Sequence, residues 1–255
     1  MIRIAAVGDI HYDKNSAGRL LRYYPELRAQ ADFLLIAGDL TQIGNLEETK
    51  VLALDLAKAP VPVIAVLGNH DYQSNLVPEV TDVLRSAGVT VLERSSTVLN
   101  INGLSIGIVG QKGFGGGFIG ACGSDFGEPE MKAFIRHTKI LSDSLRAELA
   151  QMRVDYRIVL LHYSPCPDTL VGERKEIYPF LGSYLLAEAI DEEGADIIFH
   201  GHAHRGSEKG ATPAGIQVRN VAFPVIRHAF KVYNCSLAHS PIEAGKQAQL
   251  TTASS

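Results

Sequence analysis

Apolar residues in this chain come in short unbroken blocks, and block after block stops abruptly at a polar residue. Ile2 to Val7 runs into Gly8-Asp9-Ile10-His11, Leu34 to Ala37 into Gly38-Asp39, and Val63 to Leu67 into Gly68-Asn69-His70-Asp71. Far downstream, Ile158 to Leu161 runs into His162, and Ile197 to Phe199 into His200-Gly201-His202-Ala203-His204. Blocks this short, without polar alternation, predict strands buried on both faces, as parallel sheets require. Such strands deliver the residues that follow them to the sheet's carboxyl edge, where open α/β folds hold their ligands. The pattern thus predicts that Asp, Asn and His side chains from distant parts of the chain meet at one edge.

Between these blocks the spacing turns helical. Leu20, Leu21, Tyr24 and Leu27 predict a first helix before the strand from Phe33. Asn45 with Glu48 forms an N-cap signature ahead of Leu46, Leu52 and Leu56, and Pro60 and Pro62 stop that helix. Further helices are predicted over Val77 to Ala87, ending at Gly88, over Met131 to Met152, and over Leu185 to Ile190. Short β runs at Val89 to Leu92, Thr97 to Ile101 and Leu104 to Val109, with Asn102-Gly103 as a hairpin turn, make the sheet arrangement mixed. Ile216 to Ala222 and Val225 to Tyr233 read as two closing strands.

Two stretches break the alternation. Gly110 to Gly127 is glycine-dense, and Gly115, Gly117 and Gly120 spell a nominal GxGxxG. No helix pattern opens there and no acidic residue follows in a βαβ context, so a dinucleotide site is set aside. Gly113 to Gly123 is expected instead to be a mobile loop that serves as a lid or wall. From Ser236 the periodicity fails, which predicts one domain over residues 1–235 and a flexible tail over 236–255.

Composition narrows the function classes. A hydrophobic share of 46% and a charged share of 20% suit a globular domain with a full core. A net charge of -4 supplies no basic field for nucleic acid, and the absence of Trp and of a Lys/Arg-rich aromatic groove weighs against a polymer substrate. Cys122, Cys166 and Cys235 lack the spacing of a zinc or redox motif. No leader pattern and no spanning-length apolar run are present, so a cytoplasmic protein without a membrane partner is expected.

The strand-end residues offer imidazole, carboxylate and amide oxygen without thiolate, a donor set for Mn, Fe or Zn. In order, Asp9-x-His11, Gly38-Asp39, Gly68-Asn69-His70-Asp71, His162 and Gly201-His202-x-His204 resemble the signature of the calcineurin-like metallophosphoesterase superfamily. The resemblance implies an α/β fold of two mixed β-sheets packed as a sandwich with flanking helices, around two divalent or trivalent metal ions. It implies Asp9, His11 and His204 as ligands of one metal, Asn69, His162 and His202 as ligands of the other, and Asp39 as the bridge. His70 resembles the family's non-ligand histidine, which contacts phosphate and protonates the leaving oxygen, and Asp71 its structural neighbour. His200 matches no ligand position.

One departure bears on substrate. The protein phosphatases of this superfamily extend the second block to GDxxDRG, but here Gln42 and Ile43 replace the Asp and the Arg. The Asp that orients the catalytic His and the Arg that holds a dianionic phosphate are both missing. The chain is more similar to the class III phosphodiesterase branch, with a metal-bridging hydroxide attacking a small phosphorylated substrate, a phosphodiester or cyclic nucleotide being favoured. A phosphomonoesterase, a nucleotide pyrophosphatase and a non-catalytic scaffold are the alternatives. Lys112, Arg174, Lys175 and Arg205 are the residues that could restore a cation. The oligomeric state stays open.

Overall fold

The computed structural model describes residues 1–236. In chain order the strands are β1 (Ile2–Val7), β2 (Phe33–Ala37), β3 (Val63–Val66), β4 (Thr90–Val91), β5 (Ser95–Ile101), β6 (Leu104–Gln111), β7 (Gly117–Phe118), β8 (Ala121–Cys122), β9 (Tyr156–Leu161), β10 (Ile197–His200), β11 (Lys209–Ala211), β12 (Gln217–Asn220) and β13 (Lys231–Cys235). The helices are α1 (Tyr24–Gln30), α2 (Leu46–Leu56), α3 (Val77–Ser86), α4 (Pro129–Gln151), α5 (Tyr178–Leu181), α6 (Tyr184–Glu193) and α7 (Phe223–Ile226). One sheet has the order β13-β1-β2-β3-β4 and the other β11-β12-β10-β9-β6-β5. Strands β1 to β4 are mutually parallel, as are β12, β10, β9 and β6. The outer strands β13, β11 and β5 run antiparallel to their neighbours, so both sheets are mixed.

The unbroken apolar blocks have the burial predicted for them. Alternate residues of β1 and β2 (Ile2, Ile4, Ala6; Phe33, Leu35, Ala37) face Ile106, Ile108, Ile158, Leu160, Ile197 and Phe199 of the opposing sheet. The other face of the first sheet (Ala5, Val7, Leu34, Ile36) packs on Leu27, Leu52, Leu56, Val80 and Leu84 from α1 to α3. On the far side Val159, Leu161, Ile198 and Val218 pack on Leu145 and Leu149 of α4 and Leu186 and Ile190 of α6. The result is a two-sheet sandwich flanked by helices, with period-two side chains filling a layer on either face of each sheet.

Local signals hold as well. The Asn45 side chain accepts from Glu48 N at the start of α2. Asn102 (φ 53°) and Gly103 (φ 81°) form the left-handed turn that joins β5 to β6.

Other expectations are corrected. Val225 to Tyr233 is not one strand: Phe223–Ile226 is a short helix and the strand begins only at Lys231. Pro224 sits in the first turn of that helix, where its missing N–H costs nothing. The glycine-dense segment is not a loose lid over its first half: Gly113 and Gly115 to Phe118 are buried. Gly116 N donates to Pro179 O (2.7 Å) and Gly117 N to Gly182 O (3.0 Å), and β7 and β8 close a small hairpin. The tail expected from Ser236 lies, beyond Ser236, outside the described residues. Among the described residues no helix is long and apolar enough to cross a membrane.

The loop after β1 is held to α2 by a buried polar hub. Tyr12 Oη donates to Asp55 Oδ2 at 2.8 Å, Gly18 N donates to the same carboxylate at 2.9 Å, and Leu20 N donates to Tyr12 Oη at 3.0 Å. Asp55→Ala strands those donors in the core and should lower unfolding free energy by about 2–4 kcal/mol in urea titrations. A loss within experimental error would show that the hub is dispensable.

Candidate metal centre

The carboxyl ends of β1, β2 and β3 from one sheet and of β9 and β10 from the other open onto the same edge, and the loops that follow are stitched together. Asp9 N donates to Gly38 O (2.9 Å) and His11 N to Asp39 O (3.0 Å), so the first two loops continue the pairing beyond their strands. His202 N donates to Asp9 Oδ2 at 2.9 Å, which ties the second sheet to the first. The backbone at Asp9, His11, Asp39 and His202 has φ of 55°, 42°, 47° and 69°. Left-handed conformations at non-glycine residues cost of order 1 kcal/mol or more each and persist where the surroundings impose them, often at functional sites.

The side chains gather in two sets that share Asp39. Ligand atoms of Asp9, His11, Asp39 and His204 lie within 4.8 Å of one another, and so do those of Asp39, His162 and His202. Asn69 Oδ1 stands 2.9 Å from His162 Nε2, which places the amide with the second set. His70 belongs to neither, although its ring packs edge-on against His11 with centroids 4.6 Å apart. Its Nδ1–H donates to Gln42 O at 2.7 Å and its main-chain N–H to Asp39 Oδ1 at 2.8 Å. The main-chain carbonyl of Gln42 thus orients the imidazole, the task left open by the missing Asp of the second block. His200 is buried, hydrogen-bonded to Thr169 Oγ1 (2.8 Å) and Gly201 O (2.7 Å), away from both sets.

The residues fit cations. Because His162 Nδ1–H donates to Ala37 O (2.9 Å), its Nε2 carries a lone pair, and that lone pair faces Asn69 Oδ1 and, at 3.4 Å, Asp39 Oδ1. Both ring nitrogens of His11 are buried without a hydrogen-bond partner. Converging acceptors and an orphaned imidazole are costly unless positive charge lies among them. Glycines make the room: a Cβ on Gly68 would lie 2.1 Å from Asp39 Oδ1, and one on Gly38, itself at φ +80°, 2.4 Å from His162 Nδ1.

Burial sets the protonation of the metal-free site. It pushes His11 down to about 4 and His202 down to about 3, so both are neutral near pH 7 and ready to donate lone pairs. It pushes Asp9 up to about 6, against the hydrogen bond from His204. That same bond, Nε2 to Oδ1 at 2.9 Å, raises His204. The Asp9–His204 pair therefore holds the proton that a metal on this side must displace.

Sequence reasoning did not anticipate how the shell around these residues is held. Asp71, buried completely, accepts from Leu40 N (3.1 Å), Gly68 N (2.8 Å), Thr41 N (2.9 Å) and Thr41 Oγ1 (2.6 Å). Burial and the charge of Asp39 push Asp71 up to about 6, against these four donors. His202 Nε2–H donates to Phe180 O at 3.1 Å. Lys112 is buried among Tyr72, Phe114 and Tyr163, and burial lowers its ammonium pKa while Glu93 and Asp39 oppose the shift. Arg174, Lys175 and Arg205 are exposed.

A family model for calcineurin-like phosphoesterases matches residues 2–206. The chain belongs to the calcineurin-like phosphoesterase family. Among solved structures, this phosphoesterase-family chain is similar to a phosphopantetheinyl hydrolase from Mycobacterium tuberculosis: 16% identity, TM-score 0.63, 93% of this chain and 98% of that one covered. It is also similar to TT1561 of Thermus thermophilus (17% identity, TM-score 0.55, 91% and 98% covered) and to GAP50, the anchor in the inner membrane complex of Plasmodium (12% identity, TM-score 0.52, 88% and 72% covered). At these identities the likeness is one of fold. No curated protein matches the chain.

Two outcomes follow for metal binding. Asp71→Asn turns an amide N–H toward a main-chain donor and should weaken Mn²⁺ or Zn²⁺ affinity about 10- to 100-fold although Asp71 touches no metal, measured by calorimetric titration. Unchanged affinity would confine Asp71 to loop stability. Since Asp9 is protonated below about 6, apparent affinity should fall as pH drops from 7.5 to 5, with uptake near pH 6 releasing about one proton. Affinity flat across that range would exclude the Asp9–His204 proton.

Proposed function

We propose that this family member is a metal-dependent hydrolase of phosphate esters, acting on a small phosphorylated substrate. The observation that carries the proposal is the pair of ligand sets sharing Asp39, with His70 fixed beside them and outside both. Asp9, His11, Asp39 and His204 would hold one ion and Asp39, Asn69, His162 and His202 the other, with no ligand of the set missing. Bound divalent ions of the Mn, Fe or Zn kind supply positive charge at the phosphoryl oxygens and make water acidic enough to attack near neutral pH. The intact donor set favours this reading over a non-catalytic scaffold of the same fold.

The chain's own contribution beyond binding lies with His70. Because Gln42 O accepts from Nδ1–H, Nε2 points away from the main chain, and in the protonated ring its N–H donates to the departing ester oxygen. Ile43 brings no charge to the phosphoryl group. By itself that favours a singly charged diester or cyclic nucleotide, and the balance depends on whether another cation reaches the site.

Asp39→Asn should lower bound metal and abolish turnover together, read by elemental analysis and ester hydrolysis. Two metals per chain with near-normal activity would remove Asp39 as the bridge. His70→Ala should keep its metal yet lose about 10²-fold or more in kcat for alkoxide leaving groups, and less for p-nitrophenol. Equal losses for both leaving groups would mean that His70 only positions the phosphate.

A further inference from the structure

The amine of Lys112 lies close enough to Asp39 to feel its charge, yet it belongs to neither ligand set. Lys112 follows β6, whose last residue Gln111 pairs with Leu161 of β9, so it shares the carboxyl edge with His162. Its carbonyl oxygen accepts from His162 N and Tyr163 N, each at 3.0 Å, which fixes the root of the side chain to a strand end bearing a candidate ligand. The residue is 7% exposed. Nζ lies 4.8 Å from the ring centre of Tyr72, 4.9 Å from Phe114 and 5.2 Å from Tyr163. One of these rings borders a metal-ligand set, Tyr163 packing on His202 at 4.3 Å and on His162 at 5.5 Å, and Tyr72 shares a helical turn with His70, which lies beside the sets.

The ammonium is short of acceptors. It has three N–H donors, and among the described residues its hydrogen bond is to Gly113 O at a long 3.4 Å. Glu93, the nearby carboxylate, instead accepts from Tyr72 Oη at 3.1 Å. Aromatic faces stabilise a cation but do not replace hydrogen bonds to oxygen. A buried ammonium with donors to spare, walled in part by the Tyr163 ring that packs on His162 and His202, is suited to an oxyanion bound at the adjoining ligand sets.

We infer that Lys112 binds a non-bridging oxygen of the substrate's phosphoryl group and biases the site toward doubly charged phosphomonoesters over singly charged diesters. The inference rests on the phosphoesterase reading and reverses the diester preference expected from Ile43. Lys112 is then a specificity-determining residue, standing in by charge for the Arg missing at Ile43 while coming from the end of a different strand.

The test compares the full-length Mn²⁺-loaded protein with Lys112→Met, which keeps the length of the stem, and with Lys112→Arg. The probes are p-nitrophenyl phosphate and bis(p-nitrophenyl) phosphate, with metal content measured in each sample. Wild type should favour the monoester. Lys112→Met should lower the monoester-to-diester ratio of kcat/KM about tenfold or more at unchanged metal content, and Lys112→Arg should recover part of it. A lysine that only supports the fold would depress both esters alike, and an unchanged ratio overturns the inference. Should Lys112→Met not fold, wild type alone decides: inorganic phosphate must inhibit more tightly than dimethyl phosphate, and the reverse order overturns the assignment. A wild type that turns over neither ester sinks the phosphoesterase reading itself, whereas activity with an unmoved ratio sinks Lys112 alone.

Discussion

A single buried carboxylate holds the loops after β2 and β3 together. Asp71 takes hydrogen bonds from the main chain of Leu40, Thr41 and Gly68, so the turn that carries Asp39 and the turn that carries Asn69 and His70 move as one piece. The same piece sets the hydrogen bond from His70 N to Asp39 Oδ1 and brings Gln42 O within reach of the His70 ring. Nothing at the outer surface of the loops could impose that relation as well, because exposed polar contacts compete with water while this one is sealed from it.

The electrostatics follow from the same enclosure. Burial disfavours charge on His11, His202 and Asp9, while the hydrogen bond to Asp9 favours the protonated form of His204. What remains is a concentration of lone pairs with too few protons between them. Around it the glycine-dense segment passes beside Tyr163 and is bonded to the segment after β9 through Gly116 and Gly117.

Much of this was legible in the sequence because it depends on side-chain type and spacing. Unbroken apolar blocks give buried parallel strands, and a polar residue right after such a block must sit at the sheet edge, which is how Asp9, Asp39, Asn69, His162 and His202 declare themselves. What escaped depends on the main chain or on distant packing. Gln42 acts through a carbonyl that any residue would supply, so no letter marks it. The cage around Lys112 joins Tyr72, Phe114 and Tyr163 from separate loops, and no local spacing brings them together. Val225 was misread because its β-branched neighbours promise a strand, while Pro224 and the bond from Arg227 N to Phe223 O close a helical turn instead.

The hydrogen bonds from His202 N to Asp9 and from His162 Nδ1 to Ala37 O join residues 193 and 125 positions apart. Loop closures of that span come late in folding, since their entropy must be met by packing that already exists. The candidate ligand shell is thus completed only when the two sheets have docked, so ions bound there would not nucleate the chain as zinc nucleates a finger. Ions held by this shell would therefore be taken up by a scaffold that has already folded, and their identity would follow from the supply of metal as much as from the donors.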